Sequence, residues 1–191
     1  MSAEQSESSD DILVKRTLAG DDSAYAVLAW RYRGKIVGMA SRFTRNPQDA
    51  EDLVQEIFIQ AWRKLGQFKG GAPFEHWLSR VATRKCYDLL RTRQRGREDT
   101  MEPERWERMR ELAHSTEAKG ANGPEPADAR ELLALAMAKL GADERLVITL
   151  LELEGRSVKE ISALTDWSES NVKVRAFRAR NKLKTILEQL P

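Results

Sequence analysis

The sequence predicts an all-α protein of two small helical domains joined by a flexible linker. Apolar residues recur at helical spacing through most of the 191 residues. Glycine, proline and acids crowd one long interval, 98–128, too long for a loop inside one compact domain. Each of the two helical stretches that this interval separates carries a strongly basic helix. The expected divisions are a disordered tail over 1–9, a first domain over 10–97, the linker over 98–128 and a second domain over 129–191.

Composition narrows the function before any motif is read. The chain is 41 % hydrophobic and 32 % charged, so it can bury real cores and still present a heavily charged surface. Its net charge of +2 hides strong segregation along the chain. No run approaches the roughly 20 apolar residues of a membrane-spanning helix. The polar, acidic start MSAEQSESSDD is neither a signal nor a transit peptide, which points to the cytoplasm and to no membrane insertion. Cys86 is the single cysteine, and His76 and His114 are the two histidines; no disulfide, metal site or cofactor is expected. His76 reads as a partly exposed structural residue.

In the first domain a short helix is expected over 10–18, followed by a break at Gly20 and capping residues. A long helix then runs over about 23–44, with Leu28, Ala29, Tyr32, Ile36, Met39, Ala40 and Phe43 in phase. After the turn Arg45–Gln48 comes DAEDLVQEIFIQAWRKL (Asp49–Leu65). Ala50, Leu53, Val54, Ile57, Phe58, Ala61, Trp62 and Leu65 form its apolar stripe. Asp52, Gln55, Glu56 and Ile59 form a second, largely polar stripe, which is either solvated surface or a docking face. Phe68 stands in the loop GQFKGGAP as a lid over the core or as part of a stacking surface. The helix over about 74–93 buries Phe74, Trp77, Leu78, Val81, Ala82, Cys86 and Leu89. Its other side lines up Arg80, Thr83, Arg84, Tyr87 and Arg91. From Arg80 to Arg97 seven basic residues face one acid, Asp88. That imbalance is the electrostatic footprint of nucleic-acid contact.

The linker carries ten acids against five basic residues from Glu98 to Glu131, with room for a transient helix around Trp106, Met109 and Leu112. Beyond it, helices are expected over about 129–140, 143–154, 158–164 and 169–190. Ser157-Val158-Lys159-Glu160 reads as a capping box, and Ser168 caps the last helix. Two short helices joined by a tight turn, the second basic, form a helix-turn-helix signature. Between Asn171 and Lys184 there are six basic residues and no acid. Two basic helices imply two DNA contacts, and the tether raises the effective concentration of the second once the first is made.

Four blocks, in order, carry a resemblance. They are DAEDLVQEIFIQAW (Asp49–Trp62), F..GGAPFEHWLSRVATRKCYDLLR (Phe68–Arg91), LGADERLVITLLELEGRSVKEISALT (Leu140–Thr165) and SNVKVRAFRARNKL (Ser170–Leu183). The chain resembles bacterial RNA polymerase sigma factors of the extracytoplasmic-function type. That resemblance implies a protein that binds core RNA polymerase, directs it to promoters and aids melting, with no catalytic residue of its own. It implies polymerase docking by Asp52, Gln55, Glu56 and Ile59. It implies contact with melted −10 DNA by Phe68, Lys69, Arg80, Thr83, Arg84, Tyr87 and Arg91. Double-stranded −35 DNA falls to Ser170, Asn171, Lys173, Val174, Arg175 and Arg178, with Arg175 and Arg178 favoured. The linker is then expected to thread toward the polymerase active-site channel, and an anti-sigma factor becomes a candidate partner. Two departures stand out: Trp167 replaces a smaller turn residue and is read as core packing, and the last helix opens on Ser168-Glu169-Ser170-Asn171. A stand-alone helix-turn-helix regulator and a recombinase are the competing classes. The first lacks a sensor domain, and the second lacks a nucleophile–base set and a metal cluster.

Overall fold

The computed structural model describes residues 9–95, 107–112 and 126–189. The expected tail apart from Ser9, most of the linker and Trp106 lie outside these. The described residues hold no strand, and they divide into two compact units: residues 9–88 with 163–166, and residues 89–95, 107–112, 126–162 and 167–189. The end of the helix 74–95, from Leu89, thus counts with the second and the end of the helix 158–165 with the first.

In the first unit, α1 (Asp10–Leu18) begins at Ser9, whose hydroxyl accepts from the Ile12 N–H at 3.4 Å. Gly20 takes a left-handed turn with φ of 97° that few other residues adopt, and this reverses the chain. Asp21 then caps α2 (Asp22–Phe43), accepting from the Ser23 and Ala24 N–H groups. Hydrogen bonds from Ser23 and from the Arg16 guanidinium hold the Asp21 carboxyl at about 2, so the cap is charged at neutral pH. Asn46 caps α3 (Pro47–Lys64) through the Asp49 N–H at 2.7 Å, and Pro47 occupies the first turn, where no N–H is needed. A single 3-10 turn, Leu65–Gln67, ends α3, and α4 (Phe74–Arg95) follows the glycine loop.

The core of this unit is made by α2 packing on both α1 and α3. Leu13, Leu28, Ile36, Phe43, Ile57, Leu65 and Leu78 are fully buried in it. Polar bonds fix the register. Asp10 accepts from both Arg31 and Tyr32 of α2, and the Tyr25 hydroxyl donates to the Phe58 carbonyl at 2.6 Å. Burial pushes the Tyr25 phenol well above its ordinary range, so it stays a donor.

In the second unit, residues 107–112 form one helical segment, α5, with Met109 and Leu112 buried. Arg108 donates from Nε and Nη2 to Glu131 of α6 (Pro126–Met137), at 3.1 and 3.2 Å. Then α7 (Ala142–Ile148) runs into a π-helical turn, Thr149–Leu153. Ser157 and Glu160 open α8 (Val158–Thr165) with the reciprocal bonds of a capping box. The Ser157 N–H donates to the Glu160 carboxylate at 2.8 Å, and the Glu160 N–H donates to the Ser157 hydroxyl at 3.2 Å. The last helix, α9 (Glu169–Glu188), starts at Ser168, whose hydroxyl accepts from the Asn171 N–H at 3.2 Å. It packs on α7 and α6, burying Val172, Ala176, Ala179 and Ile186 near Leu146, Val147 and Leu150 of the same core.

Several expected core positions fall elsewhere. Trp62 is 51 % exposed and Phe58 is half-buried. Each lies one residue past a buried one (Ala61, Ile57), hence about 100° round the helix and off the stripe. On α4 the buried leucine is Leu90, not Leu89. Leu153 is 39 % exposed because the π turn shifts it out of phase with Leu146 and Leu150.

Candidate functional site

The outward side of α3 carries Asp52, Gln55, Glu56 and Ile59, all exposed. Gln48 donates to Asp52 at 3.3 Å, and the Lys85 ammonium of α4 donates to Glu56 at 2.8 Å. Glu56 keeps a side-chain exposure of 61 %, so this ion pair leaves its carboxylate open to a partner. Trp62 extends the row, since 55, 59 and 62 share one face at i, i+4 and i+7. The face thus combines acid, amide and a large exposed aromatic. Sequence reasoning placed Trp62 inside because its spacing fits both stripes.

On α4, Arg80, Arg84 and Arg91 are exposed and Tyr87 is half-buried. Gln60, Lys64, Gln67, Trp77, Arg80 and Arg84 line one groove. Thr83 does not belong with them: it is 1 % exposed, on the inner row Ser79–Thr83–Cys86–Leu90. Its spacing from Arg80 and Tyr87 fits the basic stripe, but a residue three positions from one and four from the other can sit on either edge of it. The Thr83 hydroxyl is buried with no hydrogen-bond partner among the described residues. Thr83→Val is therefore expected to raise stability by about 1 kcal/mol, since it removes an unpaired polar group at constant shape. Urea unfolding checks this; destabilisation would show a partner for the hydroxyl.

Phe68 is half-buried, with its ring edge-on to Phe74 at 5.7 Å and tilted to Trp77 at 5.7 Å. Phe74 in turn meets Tyr32 at 5.6 Å. Phe68 is thus the lid over this cluster, with part of its ring outward. Lys69 beside it is exposed, and Gly70 has φ of 71°, which turns the loop back toward α4. His76 is exposed at the start of α4.

On α9, Ser170, Asn171, Lys173, Val174 and Arg178 are exposed. Sequence reasoning missed Phe177, which is 65 % exposed among these cations. The signal was its position three past Val174 and one before Arg178, on the side opposite Ala176 and Ala179. Arg175 is different. Its guanidinium lies 4.2 Å over the Trp167 ring, its Nε donates to Asn171 at 2.7 Å, and it pairs with Asp143 of α7. Trp167 itself is half-buried, and its carbonyl accepts from Ser162 at 2.6 Å. Arg180 pairs with Glu152 at 2.6 Å and Lys182 with Glu144 at 2.9 Å. Partial burial works against the charge on Glu144. The Lys182 ammonium, the Gly141 N–H and the field of Arg178 outweigh it and hold the carboxyl below its usual range.

Among the described residues no group of three or more His, Cys, Asp or Glu side chains is placed to hold a metal. No helix among them is long and apolar enough to cross a membrane. Residues 28–96 match the Sigma-70 region 2 family and residues 130–183 match Sigma-70, region 4. The chain is 34 % identical over 185 residues to the ECF RNA polymerase sigma-E factor of Escherichia coli (strain K12), covering 95 % of each chain. It belongs to the ECF sigma factor family.

A second relative of this sigma factor is the RNA polymerase sigma-H factor of Pseudomonas aeruginosa, 33 % identical over 95 % of each chain. Among solved structures, CnrH, determined in complex with the cytosolic domain of CnrY, is 27 % identical. It aligns with a TM-score of 0.59 over 94 % of this chain and 97 % of that one. RpoE from Bartonella quintana, at 24 % identity and a TM-score of 0.52 over 82 % of this chain and 91 % of that one, shares the fold. As a sigma factor the protein directs RNA polymerase to promoters and so starts transcription. In family terms, α3 and α4 lie in region 2, and α7, α8 and α9 lie in region 4.

Proposed function

We propose that this sigma factor meets core polymerase through the outward face of α3, meets the melted −10 strand through the loop and outer side of α4, and reads −35 duplex with α9. The observation that carries this reading is the two-sidedness of α3. Leu53, Val54, Ile57 and Ala61 are buried in the core, while Asp52, Gln55, Glu56 and Ile59 all face out beside Trp62. In this reading residues 10–97 are the polymerase and −10 domain, 98–128 the linker and 129–191 the −35 domain. Lys69, Arg80, Arg84, Tyr87 and Arg91 engage the open strand, with the outward part of Phe68 available for stacking. On α9, Lys173 and Arg178 neutralise phosphate, while Ser170, Asn171, Val174 and Phe177 face the groove, the last two suited to thymine methyl groups.

The protein acts in the cytoplasm, where polymerase and promoters are, and it does no covalent chemistry of its own. An anti-sigma protein covering it is a further partner in this reading: RpoE from Bartonella quintana, which shares this fold, was solved in complex with the anti-sigma factor NepR.

Run-off transcription with core polymerase and the full chain, with start sites mapped across the source genome, tests the reading. Promoter-specific transcripts dependent on this protein are expected; their absence overturns it. Arg178→Glu is expected to lower the transcript yield about tenfold or more by placing like charge against phosphate, with core binding unchanged. Comparable yields from the two proteins would remove Arg178 from the DNA face.

A further inference from the structure

The six cations of α9 are not equivalent. Arg175, Arg180 and Lys182 each pair with an acid of the 142–153 segment: Asp143, Glu152 and Glu144 respectively. Lys184 pairs with Glu188 of its own helix. Lys173 and Arg178 make no ion pair among the described residues. The cationic helix is therefore divided. One edge is stitched to α7 and the turn after it, and two charges are left for an outside partner.

Arg175 is held most completely. The Trp167 face lies under its guanidinium at 4.2 Å, Asn171 accepts from its Nε at 2.7 Å, and Asp143 takes a terminal nitrogen. The flat, delocalised guanidinium suits this cage, because it stacks and donates in its own plane at once; an ammonium does neither. The three partners come from the helix-turn-helix turn, from one turn upstream on α9, and from α7. Arg175 thereby joins all three pieces that fix where α9 points. Its side chain is left only 26 % exposed.

We propose that Arg175 is a positioning residue. The Trp167–Asn171–Asp143 cage withholds it from DNA and uses it to set the orientation of α9, leaving Lys173 and Arg178 as the helix's phosphate contacts. The inference rests on the reading of α9 as the −35 helix. It reverses the ranking that spacing alone suggests, in which Arg175 is a foremost DNA reader. It also gives Trp167 a role: the turn carries a large aromatic because the arginine one helical face away needs a floor.

The test uses holoenzyme assembled from core polymerase and full-length variants. It is titrated against a promoter duplex found by start-site mapping and against the same duplex with its −35 element scrambled. Each phosphate neutralised contributes about 0.9 to the slope of log affinity against log salt. Arg178→Ala is expected to lower the slope by about 0.9 on both duplexes. Arg175→Ala leaves the slope unchanged but lowers affinity for the intact promoter about tenfold, the loss of roughly one base-pair reading by a misaligned helix. Arg175→Lys, which keeps the charge but cannot stack or fork, does not restore it. Asp143→Asn frees Arg175 and raises the slope by about 0.9 on both duplexes. A slope that falls by about 0.9 in Arg175→Ala, with equal loss on both duplexes and rescue by Arg175→Lys, overturns the proposal and makes Arg175 a phosphate contact. An unchanged slope in Asp143→Asn likewise overturns it. If Arg178→Ala and Arg175→Ala both leave DNA binding untouched, the reading of α9 as the −35 helix fails, and the proposal with it.

Discussion

Glu56→Arg is expected to weaken binding to core polymerase by about two orders of magnitude while leaving the first helical unit folded. Reversal of one partner in a hydrogen-bonded charge contact costs about 2–5 kcal/mol at an interface. The cost to the fold is small. Glu56 is exposed, and among the described residues the bond it gives up is the one to Lys85, a surface pair of the kind worth about 0–1 kcal/mol. Titration of labelled full-length protein with core polymerase, beside thermal unfolding of the free protein, separates the two effects. Unchanged affinity would remove the outward face of α3 from the docking surface.

One residue on, the expectation inverts. Ile57→Ala is expected to cost about 2–5 kcal/mol of stability, because Ile57 is fully buried and its neighbours in α2 and α3 collapse only partly around the space left. Urea unfolding monitored through the tryptophans measures this, and a loss below about 1 kcal/mol would mean that α3 does not pack as described. The pair makes α3 a two-sided element. A 100° rotation along the helix separates a residue that holds the unit together from one that presents it to a partner.

Helices and caps were readable because they rest on local chemistry. Asp21, Ser157 and Ser168 each accept the backbone bonds that their side chains are suited to, whereas Ser9 and Asn46, read as tail and turn, prove to be caps as well. The inner and outer faces of α3 were readable as well, because its two stripes differ in polarity. Phase within a wide stripe was less so: Trp62, Thr83 and Leu90 sit at stripe edges, where a fraction of a turn decides between core and solvent. Partners across helices were not readable at all. Nothing in the spacing of α9 says that Arg175 meets Asp143, or that Arg180 meets Glu152, because those acids lie about 30 residues away and reach α9 only through the packing of α7. Charge counts along a chain report how many cations exist, while only the folded arrangement reports which of them are already neutralised.

The π turn at Thr149–Leu153 has a consequence for how this stretch tolerates changes of length. Its wide ring, closed by the Glu154 N–H on the Thr149 carbonyl at 3.0 Å, takes up one residue more than an α turn of the same rise. The stretch is in effect a one-residue insertion accommodated without breaking the helix. A single deletion inside 149–153 would return it to ordinary α bonding and leave the elements after it close to their present phase, because the residue lost is the one the wide ring had absorbed. The capping pair Ser157 and Glu160 would keep its side of α7. Loss of one residue here would therefore preserve the aim of the helix-turn-helix, whereas a one-residue deletion in the regular turns of α7 would rotate everything after it by about 100°.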